Sequence, residues 1–175
     1  GELGYEIYVA PHYQIKLYEE LMEAGKEFNI KPFGGRALMS MRLEKNWGAW
    51  TLDYRPDFTA KETGLDMFIN WDKDFIGKEK AKSENSSNKL TPLIVETNDI
   101  DVTSNEAVMN GDQSIGYVTS GGFAHFVNKS VAFTFIDQNK IKSENKIQIE
   151  INGDLFNCSV IKEPLYDPNG QKMRS

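Results

Sequence analysis

Apolar and polar positions change rhythm part-way along the chain. From Leu3 to Val9 the side chains are largely β-branched or aromatic (Tyr5, Ile7, Tyr8, Val9), which predicts a strand. After Pro11 the spacing widens. Ile15, Leu17, Tyr18, Leu21 and Met22 recur as on one helix face, with Pro11 suited to the first turn and Gly25 to the stop. A turn-like stretch from Asn29 to Gly35 leads into a second predicted helix, Arg36 to Lys45, built almost wholly from good helix formers. The aromatic loop Trp47-Gly48-Ala49-Trp50 and the polar run Thr51–Thr59 come next. Glu62–Ile69 reads as a further helical turn or the entry to a strand.

Ser83–Lys89 is polar and without periodicity, the composition of a linker or mobile loop. Beyond it the texture is β-rich: Leu90–Glu96, Glu106–Met109, Ser114–Val118, Ser130–Ile136, Lys146–Ile151 and Leu155–Ile161. Turn signals such as Asn110-Gly111-Asp112 and Asn152-Gly153-Asp154 separate them. Short strands with regular turns read as a small barrel or a sandwich.

At 175 residues the chain suits one ordinary domain or two small ones. Its net charge of −6 argues against a general nucleic-acid or anionic-membrane surface. No apolar run approaches the roughly 18 residues of a membrane helix. The single cysteine, Cys158, excludes an intramolecular disulfide and fits a reducing compartment, so a cytoplasmic location is expected. Cys158 lies in an alternating segment, as a buried strand thiol would. His12 and His125 lack metal-ligand spacing, so no metal site is expected.

Few residues stand out as chemical candidates. Glu2 and Glu6, on one face of a strand, would lie roughly 13 Å apart. Paired carboxylates of the glycosidase kind sit about 5–9.5 Å apart, so these two are no acid/base dyad. Glu6 is either a solvent-facing acid or an acceptor for a ligand's paired N–H donors. Arg36, at a helix start after Gly34-Gly35, suits a carboxylate or a surface ion pair. Gly116–Phe123 leaves a strand for a Gly-rich corner, read as a tight turn or an oxyanion cradle. Trp47 and Trp50 suit core packing or stacking on a flat ring. The Asp53–Asp57 loop either clamps a ligand or simply turns.

Four ordered stretches carry a resemblance: "GELGYEIYV", "FGGRALMSMRLEKNWGAW", "IGYVTSGGFAHFVNKSVAFTFI" and "EPLYDPNGQKMR". Together they resemble the C-terminal half of the tetrahydrofolate-dependent aminomethyltransferase (glycine cleavage T-protein) family, especially the corresponding region of dimethylglycine and sarcosine dehydrogenases. The resemblance implies an α+β chain: the C-terminal part of a folate-binding α/β domain over 1–82, then a small antiparallel β-barrel over 90–165. It implies one-carbon transfer from an aminomethyl or iminium group to tetrahydrofolate, in glycine cleavage or in demethylation of a methylated glycine. On the family's pattern, Glu6 holds the pterin ring and Arg36 the far end of the folate.

The family's key aspartate belongs to an N-terminal half upstream, so no catalytic residue is assigned here; Asp53 and Asp57 are not carried into that role. FAD is implied only where a flavin-bearing domain precedes. The expected partners are folate, the upstream half of the same enzyme or a flavin-bearing domain, and a lipoyl carrier protein. Two departures are visible. Thr59-Ala60-Lys61-Glu62 stands where the family often has Thr-Pro-x-Glu, and Thr51 replaces a common glycine. The competing expectation is a non-catalytic folate-binding or assembly module.

Overall fold

The computed structural model describes residues 3–97 and 100–174. Six antiparallel strands form a closed barrel: β1 (Asn88–Val95), β2 (Ala107–Asn110), β3 (Gln113–Ala124), β4 (Lys129–Asp137), β5 (Ile147–Ile151) and β6 (Asp154–Val160). Around the barrel their order is β1-β4-β3-β2-β5-β6, and β6 closes on β1 through Leu93↔Val160 and Val95↔Cys158. Closure leaves no open sheet edge to recruit other strands. Of the two architectures that the strand texture allowed, the chain adopts the barrel.

Turn chemistry sets the hairpins. Gly111 (φ 65°) turns β2 into β3, and Asn152 (φ 54°) with Gly153 (φ 91°) turns β5 into β6. Positive φ at consecutive residues is the twist that a two-residue hairpin needs. Buried Asn110 extends this order outward. It donates to the Asn145 and Lys146 carbonyls and accepts from the Lys142 N–H, fixing the loop before β5.

Inside the barrel, Leu93, Val95, Val108, Ile115, Val118, Ala132, Ile136, Ile149 and Ile151 form one apolar cluster. Cys158 packs against it from β6 as the alternation predicts, and burial pushes its thiol up to about 12, an inert group. A second cluster, Leu43, Ala124, Val131, Phe133 and Ile161, lies outside the barrel wall. Strand β4 is therefore buried on both faces from Ser130 to Thr134. What covers its outer face is helix α2 (Gly35–Glu44), one turn longer at its start than nothing but propensity requires, with Gly34 as its N-cap.

The remaining helices are α1 (Gln14–Ala24), α3 (Ala60–Thr63) and α4 (Lys78–Ser83). Thr59 and Glu62 cap α3 reciprocally, Thr59 Oγ1 accepting from the Glu62 N–H and Glu62 accepting from the Thr59 N–H at 2.8 Å. The Thr-x-x-Glu pattern is thus a capping box, which needs no proline. Helix α4 falls partly in the segment read as featureless; the loop is shorter, because β1 already begins at Asn88.

Two expectations fail. Leu3–Val9 joins no strand among the described residues; its backbone tie is Leu3 N–H to the Lys172 carbonyl at 3.5 Å. β-Propensity is realised only against a neighbouring strand, and none lies beside this segment. The Gly-rich corner is no corner either. Gly116–Phe123 continues β3 straight through, with a bulge between Val118 and Ser120. Glycine serves close approach there: a Cβ on Gly116 would stand 2.1 Å from the Phe135 carbonyl oxygen of β4.

The bulge has a structural consequence. Neighbouring side chains of a regular strand point to opposite faces, but a bulge lets two successive ones converge. Thr119 and Ser120 both donate to Asp53 Oδ1, at 2.5 and 2.7 Å. Asp53 Oδ2 accepts from Arg42 Nη1 of α2 at 2.5 Å and from the Ala49 N–H at 2.8 Å. The carboxylate is fully buried.

Removing one partner of such a buried pair strands the other charge. Asp53→Asn is expected to lower unfolding stability by about 3–5 kcal/mol in chemical denaturation. A loss under 1 kcal/mol would show that this knot does not join helix to barrel.

Candidate functional site

The two residues singled out for ligand binding stand on different elements. Glu6 lies in the exposed N-terminal segment and accepts from the Tyr8 hydroxyl at 2.7 Å. That hydrogen bond raises the Tyr8 phenol above its ordinary value, because losing the proton would set two anions side by side. Glu2 lies outside the described residues. Arg36 occupies the first turn of α2, where no side chain caps the helix. It makes no hydrogen bond or ion pair among the described residues, so the surface salt bridge weighed for it is not formed. No bond links Glu6 to Arg36.

Arg36 opens onto a cleft of about 910 Å³ between α2 and the barrel, walled by Met39, Ser40, Leu43, Gly122, Phe123 and His125. Ser40 Oγ donates to the Phe123 carbonyl at 2.5 Å, which pins α2 to β3. Sequence reasoning missed this cleft. Its far wall comes from β3 and β4, some eighty residues downstream, and the glycines there read as a turn.

The aromatic loop holds no core. Trp47 and Trp50 are both exposed, Trp47 edge-on to Phe68 and Trp50 edge-on to Tyr54. Between them Gly48 and Ala49 turn the backbone around Tyr54 and Asp53: the Gly48 N–H donates to the Tyr54 hydroxyl at 3.1 Å. Arg55 grips Asp57 by two 3.0 Å bonds, an exposed local pair that holds the Asp57 carboxyl below its usual range. The Asp53–Asp57 loop is thus a turn anchored by its first residue. Neither carboxylate is free for chemistry.

The C-terminal segment packs back toward α2. Lys45 Nζ reaches Asp167 Oδ2 at 2.9 Å, and Asp167 also accepts from the Gln171 and Lys172 N–H groups. Glu44 accepts from the Phe126 N–H at 2.6 Å, and its carbonyl accepts from the Tyr166 N–H at 2.9 Å. The end of α2 therefore gathers the β3–β4 loop and the C-terminal segment into one place.

Comparison with known proteins follows this layout. The "GCVT N-terminal domain" model matches residues 1–73, and the "Glycine cleavage T-protein C-terminal barrel domain" model matches residues 88–167. This chain belongs to the glycine cleavage T-protein family. It is 35% identical over 170 residues to the mitochondrial dimethylglycine dehydrogenase of Mus musculus, covering 94% of this chain and 20% of that one. It is 32% identical over 176 residues to an aminomethyltransferase of Thermoanaerobacter pseudethanolicus, covering 98% of this chain and 48% of that one. The solved aminomethyltransferase T of the Bartonella henselae glycine cleavage system shares the fold, with a TM-score of 0.77 at 21% identity over 90% of this chain and 45% of that one. The chain therefore spans between a fifth and about half of the relatives it matches.

Family membership gives Thr51 a physical reading. Its φ is 70°, a left-handed conformation that crowds a β-branched side chain and suits the glycine often found there. Thr51→Gly is expected to raise stability by about 0.5–1 kcal/mol, the relief of strain exceeding the added chain entropy. Thermal unfolding measures it, and a destabilised variant would refute the strain.

Asp167 supplies a pH prediction. The Lys45 ammonium, with the two backbone N–H groups, holds its carboxyl below the usual range. A depressed folded value means the tie is at full strength above the unfolded carboxylate value, about 3.9, and is lost as pH falls through the folded one. Pepsin digestion over falling pH should release residues beyond Ile161, starting at a higher pH in Lys45→Met. Identical profiles for the two proteins would remove Asp167 as the tether.

Proposed function

We propose that this chain is the folate-binding portion of an enzyme that passes a one-carbon unit from an aminomethyl or iminium group to tetrahydrofolate. The observation carrying this reading is the match of both family models, in order, on either side of residues 74–87. The donor is a glycine-cleavage aminomethyl group or a methylated glycine, since relatives of both kinds align through the chain.

The residues fit such a ligand. Glu6 spends one carboxylate oxygen on Tyr8 and keeps the other for the N–H edge of a pterin. The guanidinium of Arg36, without a protein partner among the described residues, offers a fork to the carboxylate of a folate tail. Tetrahydrofolate, when bound, supplies the nitrogens that accept the carbon. The described residues bind and orient; Asp53 and Asp57 are committed to Arg42 and Arg55 and move no proton.

A larger assembly completes the reading. No residue of α1 is buried, and Tyr5, Tyr8, Ile15, Tyr18, Phe28 and Phe33 are all exposed. A surface this apolar calls for a covering partner, and the preceding half of the same enzyme or a flavin-bearing domain supplies one. FAD enters only with that second kind of partner, and a lipoyl carrier serves the glycine-cleavage case. The structural commitment of the buried carboxylates also suits the second reading, a folate-binding or assembly module without catalysis of its own.

Titration calorimetry tests the reading on this chain and on a form extended with the upstream half. Tetrahydrofolate should bind, and Glu6→Gln or Arg36→Gln should each weaken it about tenfold or more, the worth of a charge-assisted hydrogen bond. Absence of binding to either form would defeat the proposal. Binding without carbon transfer by the extended form would select the non-catalytic module.

A further inference from the structure

The cleft beside α2 carries features that the folate reading of Arg36 does not use. Helix α2 runs ten residues and begins at Gly34 without a side-chain cap, so the N–H groups of its first turn face outward toward the Arg36 end of the cleft. Ser130, on the cleft wall, is 2% exposed, and its hydroxyl has no hydrogen-bond partner among the described residues. Native structures rarely leave a buried hydroxyl unpaired, and a ligand oxygen beside it would remove the penalty. His125, edge-on to Phe123 at 5.1 Å, adds a ring N–H donor in either protonation state.

The rest of the lining is apolar or acidic. Met39, Leu43 and Phe123 offer a flat, greasy wall. Asp101 also lines the cleft, and its carboxylate repels a second anion while accepting from an N–H group. Gly122 gives the wall its depth: a Cβ there would meet nothing nearer than Leu43 Cδ1 at 3.5 Å, so the space is open rather than filled by packing.

We infer that this cleft binds the carboxylate end of an N-acylated amino acid with a flat apolar acyl group. Arg36 and the α2 N-terminus hold the carboxylate, the Ser130 hydroxyl and His125 donate to its oxygens, Asp101 accepts from the amide N–H, and Phe123 and Leu43 cover the ring. The same chemistry has two sources, the aroylglutamate tail of a bound folate and a free acylamino acid. The first source rests on the folate reading above; the cleft itself does not.

N-benzoylglycine is the probe, carrying one carboxylate, one amide N–H and one ring. Calorimetry on the full chain should detect binding that falls about tenfold or more in Arg36→Gln and several-fold in Ser130→Val, with Glu6→Gln unchanged. Ser130→Val removes the buried hydroxyl at nearly constant volume, and Arg36→Gln alters an exposed side chain, so at least the second variant folds. Displacement of the probe by tetrahydrofolate identifies the folate tail as the occupant, whereas simultaneous saturation identifies a free acid. No binding at millimolar probe, or binding indifferent to both substitutions, overturns the inference. Tetrahydrofolate binding that needs Glu6 but neither Arg36 nor Ser130 also overturns it and leaves the folate reading standing. Probe binding without tetrahydrofolate binding does the reverse.

Discussion

Asp53 has no exposed surface, and an ionised carboxylate survives there only because four donors converge on it from three parts of the chain. Arg42 comes from α2, the Ala49 N–H from the aromatic loop, and Thr119 and Ser120 from the bulge of β3. Loss of any one arm exposes the others to a large desolvation penalty. Helix, loop and barrel therefore hold their places together or not at all. The knot also has an open strand: Arg42 stacks over Phe133 at 5.2 Å, yet its Nε and Nη2 are buried without a partner among the described residues. The pair is thus a device for position more than for net stability.

That device explains which parts of the fold were legible. Local signals fixed their own elements: Pro11 and Gly25 bracket the first helix, the Asn-Gly turns define the hairpins, and alternation places the six barrel strands within a residue or two. Helix α4, charged and short, has no apolar period and could not be seen. Gly116–Phe123 misled because glycine has two uses, turning a chain and letting another backbone come close, and only the partner strand decides between them. Leu3–Val9 misled for the converse reason. It has strand composition, but pairing is a property of two segments.

The candidate site was legible in its residue types and not in its shape. Glu6 and Arg36 were found because their side chains suit the two ends of one ligand, and Arg36 indeed stands unpaired at a helix start. The cleft that Arg36 faces depends on the long-range pairing of β3 with β4 and on the bulge that turns two hydroxyls toward Asp53. No local window of sequence contains that information. Thr119 and Ser120 read as part of a flexible corner, whereas they are the rigid anchor from which the cleft wall is hung.

The two ends of the chain differ in how they are held, and this bears on how a site could be built across them. From Ser40 onward, α2 is bonded to the barrel through Phe123, Asp53 and the β3–β4 loop, so the Arg36 side of any ligand site is preset. The segment bearing Glu6 has no such anchorage, beyond one long backbone bond to Lys172. Its neighbour α1 turns all its apolar side chains outward. A ligand gripped by both residues would therefore pay most of its ordering cost at Glu6. A covering partner that buried α1 would remove that cost before the ligand arrived, making partner and ligand bind cooperatively without any contact between them.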